Sequence, residues 1–233
     1  MTALAIMQPY LFPYIGYWQL LHASDCFVVY DDVNYINRGW INRNRILIND
    51  EPGLITLPLL QASQNRKIRD IEIAPAGQWQ RRLLRSIEMA YRKAPCFDEV
   101  FPLIEQILSH EDSNLAGFLT HQLRTLAGFM GLETRIVSSS QIYQNSQLAA
   151  QARILDICRQ EQATTYINAQ GGRALYDPAA FTEAGIDLRF IAMRARPYRQ
   201  RGEGFTPYLS IIDALMEVGP EGIRPHLAAF DYL

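Results

Sequence analysis

Two adjacent carboxylates, Asp31 and Asp32, close the apolar run CFVVY, and Arg38, Trp40, Asn42, Arg43, Asn44 and Arg45 follow them. A carboxylate in that setting can hold magnesium, orient a sugar hydroxyl or accept a proton, while guanidinium forks hold phosphate. Adjacent strand residues face opposite ways, so only one aspartate enters a given pocket. Asp32, nearer the loop, is expected to be the inward catalytic carboxylate; Asp31 is the alternative if the pleat has the other phase. The competing reading is an Asp–Arg ion-pair network that braces a long loop. Residues 33–49 hold three arginines and no acid, which predicts that Arg38 and Arg43 meet an anionic group.

An earlier stretch, QPYLFPYIGYWQ, packs three tyrosines, a tryptophan, a phenylalanine and two prolines into a turn before a helix. Gln8, Tyr10, Tyr14 and Tyr17 supply hydrogen-bonding groups in a stiff apolar wall, a composition that suits a sugar or a base and equally a rigid corner of the core. Downstream, Gly171 and Gly172 permit close backbone approach before a helix expected to begin near Arg173, which is a weak phosphate-cradle signal. Residues 194–207 carry four arginines against one glutamate, as a loop closing over a phosphorylated ligand or a solvated surface loop would.

Residues 4–8, 17–24 and 26–32 read as strand, helix and strand, the signature of a βαβ unit. LITLPLL (54–60) is a further strand-like run. From 78 to 132 apolar residues recur at i, i+3, i+4 and i+7, predicting about three helices. Strand-like runs at 134–140, 164–169 and 185–193 alternate with a helix at 147–162, and two short helices end the chain. The expected fold is α/β, a mostly parallel, Rossmann-like sheet with flanking helices, forming one domain over 1–233 with a helical subdomain around 78–132. In such sheets ligands sit beyond the carboxyl ends of the strands. Gln8, Tyr10, Asp32, Arg43 and the Gly171–Gly172 turn are therefore expected to share one pocket.

Composition narrows the function. The 233 residues are 48% apolar and 20% charged, enough for a real core, and the longest apolar runs are far too short to cross a bilayer. The opening residues do not resemble a secretory signal, so the cytoplasm is the expected location. A net charge of -2 argues against nucleic acid as the main partner. Of 22 basic residues only Lys67 and Lys93 are lysine; genome composition or the guanidinium's two-pronged grip on phosphate explains such a bias. Cys26, Cys96 and Cys158 lack metal or disulfide spacing and read as buried thiols, the four histidines lack it too, and no cofactor is specified.

The runs AIMQPYLFPYIGYWQLL, DCFVVYDDVNYINRGWINRNRIL and ITLPL, with YINAQGGRALYD and LSIIDALM far downstream, resemble the WbqC-like protein family. That resemblance implies work on an activated sugar, because such proteins are commonly encoded beside enzymes of bacterial surface polysaccharides such as O-antigen, and it implies contact with that pathway's enzymes. The favoured expectation is a transferase acting on a nucleotide-linked sugar, acylating or aminoacylating an amino sugar. A weaker resemblance joins the first βαβ unit to nucleotidylyltransferase-like folds with an H-x-G-H motif, whose histidines stabilise phosphates. Tyr14 and Tyr17 stand at the histidine positions and cannot supply positive charge. A magnesium-dependent nucleotidylyltransferase-like enzyme and a noncatalytic binding protein of the pathway are the alternatives.

Overall fold

Alternation along the first two strands decides the layers. In β1 (Ala3–Met7) and β2 (Cys26–Val29), Ala5, Phe27 and Val29 join one apolar cluster, while Leu4, Ile6, Cys26 and Val28 join another. Strands whose residues alternate between two buried faces need helices on both sides. The computed structural model, which describes residues 2–194, 196–202 and 204–233, supplies them. The first cluster takes in α1 (Ile15–His22), α2 (Gln78–Tyr91), α3 (Phe97–Leu108), α4 (Leu115–Phe129) and α7 (Ile211–Leu227). The second takes in α5 (Ala150–Gln160) and α6 (Pro178–Glu183).

The main sheet has six strands in the order β10, β9, β8, β1, β2, β7, with β7 at Arg135–Val137, β8 at Thr165–Ala169, β9 at Asp187–Met193 and β10 at Phe230–Tyr232. The first five in the chain run parallel and β10 is antiparallel to β9. The chain builds outward from β1 through β2 to β7, then returns to β1's other edge to lay down β8 and β9. The direction of winding thus reverses between β1 and β8, where open α/β sheets leave a crevice at the strands' carboxyl ends. The fold is α/β with a mostly parallel sheet, as the sequence predicts.

Local differences have local causes. The strand expected over 26–32 ends at Val29, so Asp31 and Asp32 lie beyond the pleat. The run 54–60 divides between two small hairpins: β3 (Arg43–Ile48) pairs with β4 (Glu51–Thr56), and β5 (Leu59–Leu60) pairs with β6 (Glu72–Ile73). The first hairpin turns on Asn49 and Asp50, both at positive φ as a two-residue type I′ turn requires. Of 134–140 only Arg135–Val137 is strand, because Ser140–Tyr143 tightens into a 3₁₀ turn. The two closing helices form as expected and follow one another within α7, separated by a kink where the non-helical Gly219 (φ 69°) precedes Pro220. The edge strand β10 is unforeseen.

Candidate functional site

Loop 8–14, between β1 and α1, is irregular, and its backbone groups are satisfied by buried polar side chains from three other elements. Gln122 of α4 accepts from Phe12 N (2.9 Å) and donates to the Tyr10 carbonyl (3.0 Å). Asn44 of β3 donates to the carbonyls of Leu11 (3.0 Å) and Phe12 (2.7 Å), and Ser210, the N-cap of α7, donates to Phe12 O (2.9 Å). Trp18 Nε1 donates to Pro13 O (3.0 Å). These bonds hold Phe12 at φ 42° and turn the half-buried rings of Tyr10 and Tyr14 outward. A Cβ on Gly16 would lie 2.4 Å from the Tyr14 ring, so glycine there lets the ring rest on the first turn of α1.

The reversal between β1 and β8 opens into a cleft of about 390 Å³. Gln8, Tyr10, Tyr14, Tyr30, Asn168 and Tyr176 line it, and Gly171 and Gly172 form its far rim. Asn168 is fixed by donating to the hydroxyls of Tyr166 (3.0 Å) and Tyr176 (2.9 Å) and accepting from Ala169 N (2.7 Å). Gly172 packs on it: a Cβ would sit 3.3 Å from the amide, whereas at Gly171 it would meet nothing within 4 Å. Tyr17 also lines the cleft, but its hydroxyl is spent on the Gln8 carbonyl (2.9 Å). Burial pushes the phenols of Tyr10, Tyr14 and Tyr176 above their ordinary value, so all three are neutral donors at pH 7.

Tyr10 and Tyr14 are a shared wall. On their other side lies a second cleft of about 270 Å³, completed by Pro13, Trp40, Asn44, Arg45 and Tyr208. The guanidinium of Arg45 lies 5.4 Å from the Trp40 ring centroid, and Tyr208 packs edge-on to Tyr14 at 5.9 Å.

The aspartates stand elsewhere. Asp32 is buried among three cations: Lys67 Nζ at 2.5 Å, Arg153 Nη2 at 2.7 Å and Arg69 Nη2 at 3.4 Å. Burial alone would raise its pKa, but Lys67, Arg153 and Arg69 outweigh it and hold the carboxyl below the usual carboxylate range. Asp31 accepts from Ser139 Oγ (2.8 Å), Ser140 N (2.9 Å) and Ser140 Oγ (3.2 Å), and burial leaves its pKa raised despite those bonds. Neither lines either cleft. The single pocket expected from the sequence therefore divides: Gln8, Tyr10, Tyr14, Tyr17, Gly171 and Gly172 come together, and Asp32 and Arg43 do not join them. The reason is that the chain leaves the pleat after Val29 and turns Asp32 toward 67–69 and α5.

In the basic stretch, Arg43 donates through Nε to Gly39 O (2.9 Å) and through Nη2 to Arg38 O, while its guanidinium lies 5.9 Å from the Trp40 centroid. Asn42 is a strut, accepting from Tyr35 Oη (2.7 Å) and donating to Leu57 O (2.8 Å). Arg38 is exposed at φ 59°. Asn44 lines the second cleft with its amide already committed to the loop. The helix expected near Arg173 is a 3₁₀ turn, Gln170–Leu175, and α6 starts only at Pro178. Gly171 and Gly172 thus do not lead into an α-helix, and Arg173 lies exposed against Phe190. Glu203, the one acid of loop 194–207, lies outside the described residues.

Sequence reasoning missed Gln122, Ser210 and Lys67. Gln122 did carry a signal, as a lone amide on the apolar face of LAGFLTHQLRTL, whereas Lys67 meets Asp32 only through the tertiary fold.

The sequence model of the WbqC-like protein family matches residues 8–225, a span that holds the lining of both clefts except Ile6 and Met7. The uncharacterized protein Rv1507c of Mycobacterium tuberculosis (strain ATCC 25618 / H37Rv) is 31% identical over 224 residues, covering 95% of this chain and 96% of its own length. No solved structure matches the chain significantly. The chain belongs to the WbqC-like protein family.

Proposed function

We propose that this protein is a cytoplasmic transferase that binds a nucleotide-linked sugar at the β1/β8 reversal and acylates or aminoacylates the sugar's amino group during synthesis of a bacterial surface polysaccharide. The observation that carries the reading is the pair of clefts sharing Tyr10 and Tyr14. One is walled by neutral hydrogen-bonding groups suited to a sugar, and the other by an arginine and aromatic rings. The pathway is the one the family resemblance implies. In the transfer, the amine nitrogen attacks an activated acyl carbonyl and the donor's leaving group departs. With Asp32 locked between cations, the amine's proton leaves with that group or to water. Nucleotidyl transfer is disfavoured, because Tyr14 rests on Gly16 and brings no positive charge to the start of α1.

A second reading, noncatalytic binding, is favoured by one observation: among the described residues no carboxylate, histidine or cysteine lines either cleft. Thermal-shift and calorimetric titration with nucleotide sugars, followed by mass spectrometry after incubation with acyl and aminoacyl donors, separates the two. Binding at a hundred times Kd raises stability by about 2.7 kcal/mol. Binding with a mass gain on the sugar supports the transferase; binding with no mass gain across the donors supports the second reading. No binding to any nucleotide sugar overturns both.

A further inference from the structure

The second cleft has features that a sugar site does not explain. Trp40 is 42% exposed and Tyr208 57% exposed, so two large rings face solvent beside one opening. Tyr208 holds φ 60°, a conformation that is an outlier for an aromatic residue and persists only where its surroundings enforce it. The enforcement is visible two residues on: Ser210 N donates to Arg45 O (2.8 Å) and Ser210 Oγ to Phe12 O. The same anchor therefore fixes Tyr208, the Arg45 backbone and the loop bearing Tyr14. Arg45 has no carboxylate within ion-pair distance among the described residues, and its Nε is buried without a hydrogen-bond partner. The side-chain amide in the cleft, Asn44, is committed to backbone. Beside the phenol hydroxyls of Tyr10, Tyr14 and Tyr208, the cleft thus offers flat π faces and one positive charge without an ion-pair partner among the described residues, a set that favours a flat anionic ligand. Gln8 and Tyr30, further polar groups for a sugar, lie across Tyr10 and Tyr14 in the larger cleft.

Resting on the nucleotide-linked-sugar reading above, we propose that Trp40 and Tyr208 clamp the nucleobase, that Arg45 meets the phosphates at the shared wall, and that the sugar lies in the β1/β8 cleft. Base stacking on an aromatic face is tolerant of base identity, so the clamp sets nucleotide binding without reading a sequence of donors and acceptors.

The test measures Kd for ADP, GDP, CDP and UDP, and for glucose 1-phosphate as a ligand without a base, on wild type, Trp40→Ala, Trp40→Phe and Tyr208→Ala. Tryptophan fluorescence gives a second readout, since Trp18 is fully buried and Trp79 donates to backbone carbonyls. Expected is a loss of about tenfold or more for the best nucleoside diphosphate in both alanine variants, with unchanged melting temperature and unchanged glucose 1-phosphate binding. Trp40→Phe should keep most of the affinity and lose the ligand-induced quenching. If the variants bind the nucleoside diphosphate like wild type, the clamp is overturned and the nucleotide-sugar reading stands. If glucose 1-phosphate weakens as much as the nucleotide, the cleft holds the sugar and the clamp is likewise overturned. If wild type binds no nucleotide, both fall.

Discussion

A methyl group at residue 171 would meet open space and one at residue 16 would strike the Tyr14 ring, so two glycines of the site carry different duties. Gly171→Ala should leave stability unchanged or raise it slightly, because alanine restricts the unfolded chain. If the ligand approaches this backbone, the same change should weaken nucleotide-sugar affinity about tenfold, which corresponds to about 1.4 kcal/mol; calorimetry beside a melting curve checks both. Asp32 makes the opposite case, a residue whose loss acts on the fold. Asp32→Asn leaves Arg153 buried without its counterion and should cost about 3–5 kcal/mol. Because the folded carboxyl titrates below its unfolded value, its contribution is present above about pH 4 and lost as pH falls through the folded pKa. The stability gap between wild type and Asp32→Asn should therefore be widest near neutral pH and close in acid, as urea unfolding at several pH values would show; a gap that widens in acid would contradict the cage.

Among the elements, loop 8–14 does the work of a rigid strand without being one. Gln122→Leu would strand Phe12 N and the Tyr10 carbonyl, at about 1–3 kcal/mol for each buried group left unpaired. It should also loosen Tyr10 and weaken ligand binding, whereas a surface change such as Arg82→Ala should do neither. Chemical denaturation and a binding isotherm on the two variants test this. The parallel strands were legible because β1, β2 and β8 are short apolar runs between turn residues, and α2 to α4 because their apolar period is sustained. β3 was not, since RNRILI begins with three polar residues whose partners are loop carbonyls and an aromatic ring. The Gln8 to Tyr17 and Gly171–Gly172 halves of the larger cleft were legible from the rule about strand ends. The position of Asp32 was not, because its ion pairs span 35 and 121 residues and leave no periodic trace.

For the whole molecule, the two-faced sheet predicts how its thiols behave. Burial pushes the Cys26 thiol up to about 11 and Cys158 up to about 12, so both stay protonated and shielded at pH 8. Native protein should resist alkylation at these two positions and react quickly once unfolded, with Cys96, the least covered of the three, modified first. Peptide mapping after timed iodoacetamide treatment reads this directly.

The strand order has a consequence for how the chain is made. β1 sits between β2 and β8, and the register that pairs Leu4 with Cys26 is reachable within one short βαβ unit. Its other edge pairs Ala3 with Thr165. At roughly 5–20 residues per second, a ribosome takes on the order of ten seconds to reach β8 after β1 has been made. For all of that interval β1, an apolar strand, holds an edge without its partner on the nascent chain, a place where neighbouring chains on a polysome can pair.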